Sequence, residues 1–178
     1  MARLPYLDAE DVAEADRDLF ARPINLARLL AHSPGMARAM GGVGGQIRRA
    51  SKLDPRLCEI AILTVGWEAR APYEWSHHVK IGRDRGVTEQ DLQAIVGKAE
   101  PADPVAALVM QGAREVHAGP GMSEAALNAL KPHFDNETLV DLVFTMAFYC
   151  GVVRLLDSFA IDVEEKYQPY LEEFPFPA

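Results

Sequence analysis

The sequence predicts a single all-α domain spanning residues 1–178, and three observations carry that prediction. Acidic or small polar residues stand ahead of proline or an acidic first turn, the pattern that satisfies the free N–H groups at a helix start. Glycines follow several apolar-periodic stretches, where a left-handed residue would end the helix. Period-2 alternation with β-branched residues is nearly absent, so no sheet is expected.

Taken in order, residues 1–50 read as a layer of shorter helices, with Leu26, Leu29 and Leu30 on one apolar stripe. Gly41-Gly42-Val43-Gly44-Gly45 lacks a phosphate-loop pattern and reads as a flexible helix junction. Residues 51–100 form the informative core. There Asp54-Pro55 opens a helix to about Glu68, Pro72 opens the next, Gly86 ends it, and Thr88 with Asp91 resembles a capping box. Gly97 ends the helix that follows. Residues 101–166 make a second helical half, with starts at Asp103-Pro104, Ser123-Glu124 and Asn136-Glu137 and stops at Gly119 and Gly151. The tail, 167–178, holds three prolines and four aromatic residues and is expected to pack in extended form on its own domain or on a neighbour.

Composition narrows the function classes. The 178 residues carry 18 Lys+Arg against 26 Asp+Glu, a net charge of −8, which argues against a nucleic-acid partner. Apolar residues at 49% suffice for a real core. Two cysteines, Cys58 and Cys150, are too few for a disulfide-stapled scaffold or a four-cysteine metal cluster. An apolar run of membrane-spanning length and a signal-peptide core both go unrecognised in the sequence, so a cytoplasmic protein without a membrane partner is expected.

Chemistry concentrates in Leu53–Ile95. Glu59 stands at the start of a nearly unbroken apolar run, where it is either a largely buried acid or a helix-start carboxylate facing solvent or Arg56. Glu74 and His78 are four apart, hence on one helix face. They form either a minimal acid/base dyad or an ordinary exposed pair. Tyr73, Trp67 and Trp75 surround them with bulky amphipathic rings suited to lining a substrate pocket. His77 sits about 100° from His78 around the helix and points elsewhere. With H-E-x-x-H absent, a metal is not favoured. Cys58 and Cys150 read as buried core thiols.

On these residues the segment resembles the carboxymuconolactone decarboxylase family, which also contains the AhpD-type alkylhydroperoxidases. The matching pieces are Leu53-Asp54-Pro55-Arg56 with Glu59, Tyr73-Glu74-Trp75 with His78, and Gly86-Val87-Thr88. The resemblance implies an AhpD-like helical fold assembling as a homotrimer or homohexamer, with sites near subunit contacts. The peroxidase branch has a Glu, eleven intervening residues, Cys-x-x-Cys, three intervening residues and a His. Glu59 and His78 are in register with that pattern, but Ala71 and Glu74 occupy the cysteine positions. The decarboxylase branch carries a Glu and His four apart, matched by Glu74 and His78, and usually a His where this chain has Tyr73. The resemblance thus implies cofactor-free proton chemistry on a small carboxylated or lactone-like substrate. Glu74 and His78 would be the catalytic pair and Glu59 would tune or relay the proton. The alternatives are an AhpD-like peroxidase and a non-catalytic oligomeric binding protein.

Overall fold

The computed structural model describes residues 2–177; Met1 and Ala178, the outermost residues of the expected domain and tail, lie outside the described residues. The described residues contain helices and connecting turns, without strands.

Helix α3 (Pro55–Glu68) is the axis of the fold. Asp54 caps it, its carboxylate accepting from the Leu57 N–H at 3.0 Å, and Pro55 supplies a first-turn residue that needs no N–H partner. Every residue from Cys58 to Gly66 is buried. That enclosure comes from three neighbours, α4 (Pro72–Asp84), α6 (Pro104–Ala118) and α8 (Asn136–Phe159). A helix covered on all sides reads as a continuous apolar run, as this one does.

The α3–α4 connection is tight. Arg70 adopts a left-handed conformation (φ 50°), Ala71 is extended, and Pro72 restarts the helix. Gly66 lets the two helices approach closely, since a Cβ there would lie 3.4 Å from the Trp75 backbone nitrogen and 3.5 Å from Glu74 Cγ. The α4 stop at Gly86 (φ 94°) is the expected left-handed glycine, and Thr88 and Asp91 form the expected capping box of α5 (Glu89–Ile95).

Ahead of this core lie a 3₁₀ helix (Glu14–Ala21), α1 (Asn25–Leu30) and α2 (Pro34–Gly45). The glycine run is not a junction: Gly41–Gly45 continues α2, which then widens into a π-helical turn at Gln46–Ala50. Of the Leu stripe, Leu29 is buried in the core, whereas Leu26 and Leu30 border a cavity.

Three further expectations are corrected. Helix α8 is capped by Asp135 rather than Asn136, runs through Gly151, and stops at Ala160 in a left-handed conformation (φ 48°). Gly119 ends α6 in extended rather than left-handed backbone. The tail is not wholly extended: Pro169 lies in the first turn of α9 (Gln168–Glu173), a position where proline favours a helix. Phe174 and Phe176 beyond it pack on Trp75 and Trp67.

Helix α8 is also long and apolar enough to cross a membrane by length and composition, contrary to the sequence expectation. Half of its most apolar window is buried, against α3, α4 and α6 among others, as in the core helix of a globular domain.

Arg56 turns away from Glu59 and joins three helix starts. It donates to Asp91 from Nε (2.8 Å) and Nη2 (2.5 Å), and to Asp103, the α6 cap, from Nη1 (2.8 Å). Asp91 has no exposed surface, so losing its partner would strand a buried charge. Arg56→Ala is expected to lower the urea unfolding free energy by about 3 kcal/mol, with Arg56→Lys recovering part of it. A loss below about 0.5 kcal/mol, typical of a surface pair, would contradict this.

Candidate active site

The α3–α4 hairpin brings Glu59, Glu74 and His78 together. His78 Nδ1 lies 2.6 Å from Glu59 Oε2, across a separation of 19 residues, and His78 Nε2 lies 3.0 Å from Glu74 Oε1. The second contact has ion-pair distance without hydrogen-bond alignment, so Glu74 Oε1 keeps unused acceptor capacity. Arg85 Nε approaches the other Glu59 oxygen at 3.6 Å. Glu59 has no exposed surface, and Glu74 and His78 are almost fully buried.

The imidazole is therefore held between two carboxylates. Burial alone would push its pKa down, but the charges of Glu59 and Glu74, together with the hydrogen bond to Glu59, outweigh it and raise the pKa to about 9. At neutral pH His78 is an imidazolium, with Nδ1–H donating to Glu59 and Nε2–H directed toward Glu74. Its ring makes a T-shaped contact with that of Tyr149, 5.4 Å between centroids, and the Tyr149 hydroxyl accepts from Arg48 Nη1 at 2.5 Å.

His77 belongs to a different pair. Its Nε2 lies 2.7 Å from Glu164 Oε2, and its ring is stacked between Tyr73 (4.2 Å) and Tyr167 (3.7 Å). Burial pushes its pKa below the usual value, so the neutral ring donates Nε2–H to Glu164. Glu164 is partly buried, yet donation from His77 and from the Asn25 N–H (2.6 Å) holds its carboxyl at about 2. Adjacent histidines in one helix turn thus carry opposite protonation states.

A cavity of about 680 Å³ opens beside this group. Tyr73, Glu74, His77, His78, Arg48 and Tyr149 line it, together with the 3₁₀ helix, α1, α2 and α8. Trp67 and Trp75 do not. Trp75 is fully buried, 4.9 Å from Trp67 and 5.6 Å from Phe174 between ring centroids, and Trp67 stacks on Phe176 at 4.7 Å. They anchor the C-terminal segment, because the α4 face that carries Trp75 points away from the cavity side that carries Glu74 and His78. Arg48, Tyr149, Arg85 and Glu164 escaped the sequence reading. Arg48, Tyr149 and Glu164 lie on elements other than α3 and α4, so no local spacing connects them to the site; Arg85 is local, seven residues past His78 at the end of α4, but stands in a charged run that reads as a solvated face.

Cys58 is buried, and burial together with the neighbouring Glu59 charge pushes it up to about 12; burial also raises Cys150. Among the described residues, no three His, Cys, Asp or Glu side chains are placed to share a metal ion.

Fold and site together define an AhpD-like all-α protein with a histidine clamped between two carboxylates. The model of the carboxymuconolactone decarboxylase family matches residues 34–131, and the chain belongs to that family. Solved structures share the fold. A peroxidase-related alkylhydroperoxidase AhpD core protein from Ralstonia eutropha JMP134 is 20% identical, with a TM-score of 0.81 over 96% of this chain and 95% of its own. A cysteine-to-alanine variant of the debrominase Bmp8, in complex with 2,3,4-tribromopyrrole, is 15% identical, with a TM-score of 0.79 over 97% of this chain and 99% of its own. A peroxidase-related protein from Silicibacter sp. TM1040 is 15% identical, with a TM-score of 0.70 over 94% and 97%. No curated protein matches the sequence.

The clamp has a thermodynamic consequence. Folding raises the His78 pKa from 6.5 to about 9, so its stabilising contribution is complete below pH 6.5 and is lost as pH rises through about 9. The loss is on the order of 3 kcal/mol. Urea unfolding of wild type minus His78→Gln, compared at about pH 6 and about pH 10, is expected to show this decrement. Parallel pH curves for the two proteins would contradict it.

Proposed function

We propose that the protein is a cofactor-independent decarboxylase, or a closely related proton-transfer lyase or isomerase, acting on a small carboxylated or lactone-like molecule. The observation that carries this reading is the buried His78 ring, held between Glu59 and Glu74 beside a cavity of about 680 Å³. That volume suits a small organic substrate.

In this reading Glu59 fixes the ring through Nδ1–H and leaves Nε2–H as the mobile proton. The substrate C–COO⁻ bond breaks, carbon dioxide leaves, and the bonding electrons remain on the substrate as a delocalised carbanion or enolate. The Nε2 proton, delivered directly or through Glu74, is transferred to the carbon that becomes protonated, leaving neutral His78. A proton from solvent restores the imidazolium. Glu59 and Glu74 stabilise the charged ring before transfer and keep it oriented afterwards. Tyr73 contributes to the cavity wall and, through its hydroxyl 3.1 Å from Glu164, to the alignment of the C-terminal segment.

Self-association into a homotrimer or homohexamer belongs to the same reading. Met36, Val140 and Phe144 leave large apolar side chains exposed, and α2 and α8, which carry them, also border the cavity. Cytoplasmic residence without a nucleic-acid or membrane partner is part of the proposal. A thiol peroxidase is the weaker alternative, because the buried Cys58 and Cys150 offer no low-pKa thiolate.

The test is turnover of carboxymuconolactone by pure protein in D₂O, followed by absorbance and by deuterium incorporation into product. His78→Gln is expected to reduce kcat at least a hundredfold, and Glu59→Gln to shift the pH profile to lower pH by weakening the clamp. Unchanged turnover in His78→Gln, or thiol-dependent peroxide consumption abolished by Cys58→Ser, would overturn the reading.

A further inference from the structure

We propose that Arg48 is the anion anchor of the cavity, and that the ligand is a small organic anion with an apolar body. The inference rests on the reading of this cavity as the substrate site, and it concerns recognition rather than proton transfer.

The local sequence builds the anchor. Helix α2 ends in Gly44 and Gly45, four residues before Arg48 and Arg49, and the π-helical turn carries both arginines. The guanidinium of Arg48 lies flat against Gly44: a Cβ there would stand 3.2 Å from Nη2 and 3.3 Å from Nη1. At Gly45 a Cβ would stand 2.5 Å from Arg49 Nη2. The glycines therefore clear the helix surface over which the two guanidiniums fold. The same glycine run that has no phosphate-loop pattern acquires a structural purpose here.

Arg48 is oriented but not neutralised by direct contact. Its one hydrogen bond among the described residues goes from Nη1 to the Tyr149 hydroxyl at 2.5 Å, and no carboxylate lies within ion-pair distance. The other N–H groups of the planar fork are left without a protein acceptor. A buried or half-buried guanidinium with spare donors suits a carboxylate, which can accept two parallel bonds. Tyr149 also makes the T-shaped ring contact with His78, and all three side chains line the cavity, so an anion held by Arg48 lies beside the proton donor.

Charge around the cavity points the same way. Arg22, Arg38, Arg48, Arg49 and protonated His78 line it against Asp18 and Glu74, although the chain as a whole carries −8. Arg38 is paired with Asp16 and Asp18, whereas among the described residues no carboxylate stands within ion-pair distance of Arg48 or Arg49, and the charges of Glu59 and Glu74 act on Arg48 only from farther off. The remaining wall is apolar, including Leu26, Leu30, Met40, Ile81, Phe148 and Val152. A concave, largely apolar wall with cationic charge gathered at Arg48 and Arg49 selects a molecule that is greasy over most of its length and anionic at one end.

The probes are trans-cinnamate and its neutral isostere cinnamamide, titrated into the pure protein by ligand-observed NMR. Wild type is expected to bind cinnamate at least tenfold more tightly than cinnamamide, in the range of a charge-assisted hydrogen bond. Arg48→Gln is expected to bring that ratio close to one by weakening cinnamate alone, while Arg48→Lys keeps part of the preference. Gly44→Ala, which leaves every charge in place, is expected to weaken cinnamate several-fold by displacing the guanidinium. Equal binding of the two probes by wild type, absence of saturable cinnamate binding, or undiminished cinnamate affinity in a folded Arg48→Gln protein would overturn the proposal. If the acid preference depends on Arg48 while carboxymuconolactone is not turned over, the anchor stands and the proton-transfer reading falls.

Discussion

Removing a carboxylate from water costs several kcal/mol unless charge and hydrogen bonds replace the solvent, and Glu59 sits wholly buried in the central helix of this fold. Its compensation comes from His78 on the next helix, with Arg85 near its second oxygen. That one requirement fixes much of the local architecture. The two helices must be close, which Gly66 permits, and their register must be set by a short turn, which Arg70 provides in a left-handed conformation. Once the hairpin is formed, Glu74 falls on the same side of α4 as His78 and completes the clamp. The cavity then opens where the clamp meets the N-terminal helices.

A second polar group secures the other flank. His77 points to Glu164, and the Tyr73 and Tyr167 rings on its two sides tie α4 to the segment that follows α8. Trp67 and Trp75 receive Phe176 and Phe174 farther along the same segment. The C-terminal residues thus serve to cover α4 rather than to hang free. This division of labour leaves one histidine charged and available beside the cavity and its neighbour neutral and structural. Environments that push two like groups in opposite directions are the usual way to separate their roles.

Much of this was readable in the sequence because it depends on local rules. Asp54-Pro55, Gly86 and Thr88 with Asp91 act within one turn of the chain, and each does what its residue type dictates. The spacing of Glu59, Glu74 and His78 was readable for the same reason, although spacing alone left burial open. The rest depends on long-range packing. Arg48 reaches Tyr149 across 101 residues and Glu164 reaches His77 across 87, which no local pattern encodes. The size and proximity of Trp67 and Trp75 suggest a pocket wall, but Phe174 and Phe176 of the tail cover that face of the helices. Gly44, Gly45 and Gly151 show the converse: a residue that can break a helix continues it, at Gly44 and Gly45 beneath the Arg48 and Arg49 guanidiniums and at Gly151 on the exposed face of α8.

The central claim is that His78 is a charged ring at neutral pH because two buried carboxylates hold it. Nitrogen NMR of ¹⁵N-histidine-labelled protein measures this directly, with His78→Gln used to assign the resonance. The expected result is that both His78 nitrogens are protonated at pH 7 and titrate near pH 9, while His77 remains neutral with its proton on Nε2. A His78 ring that is neutral at pH 7, or that titrates at or below 6.5, would contradict the account.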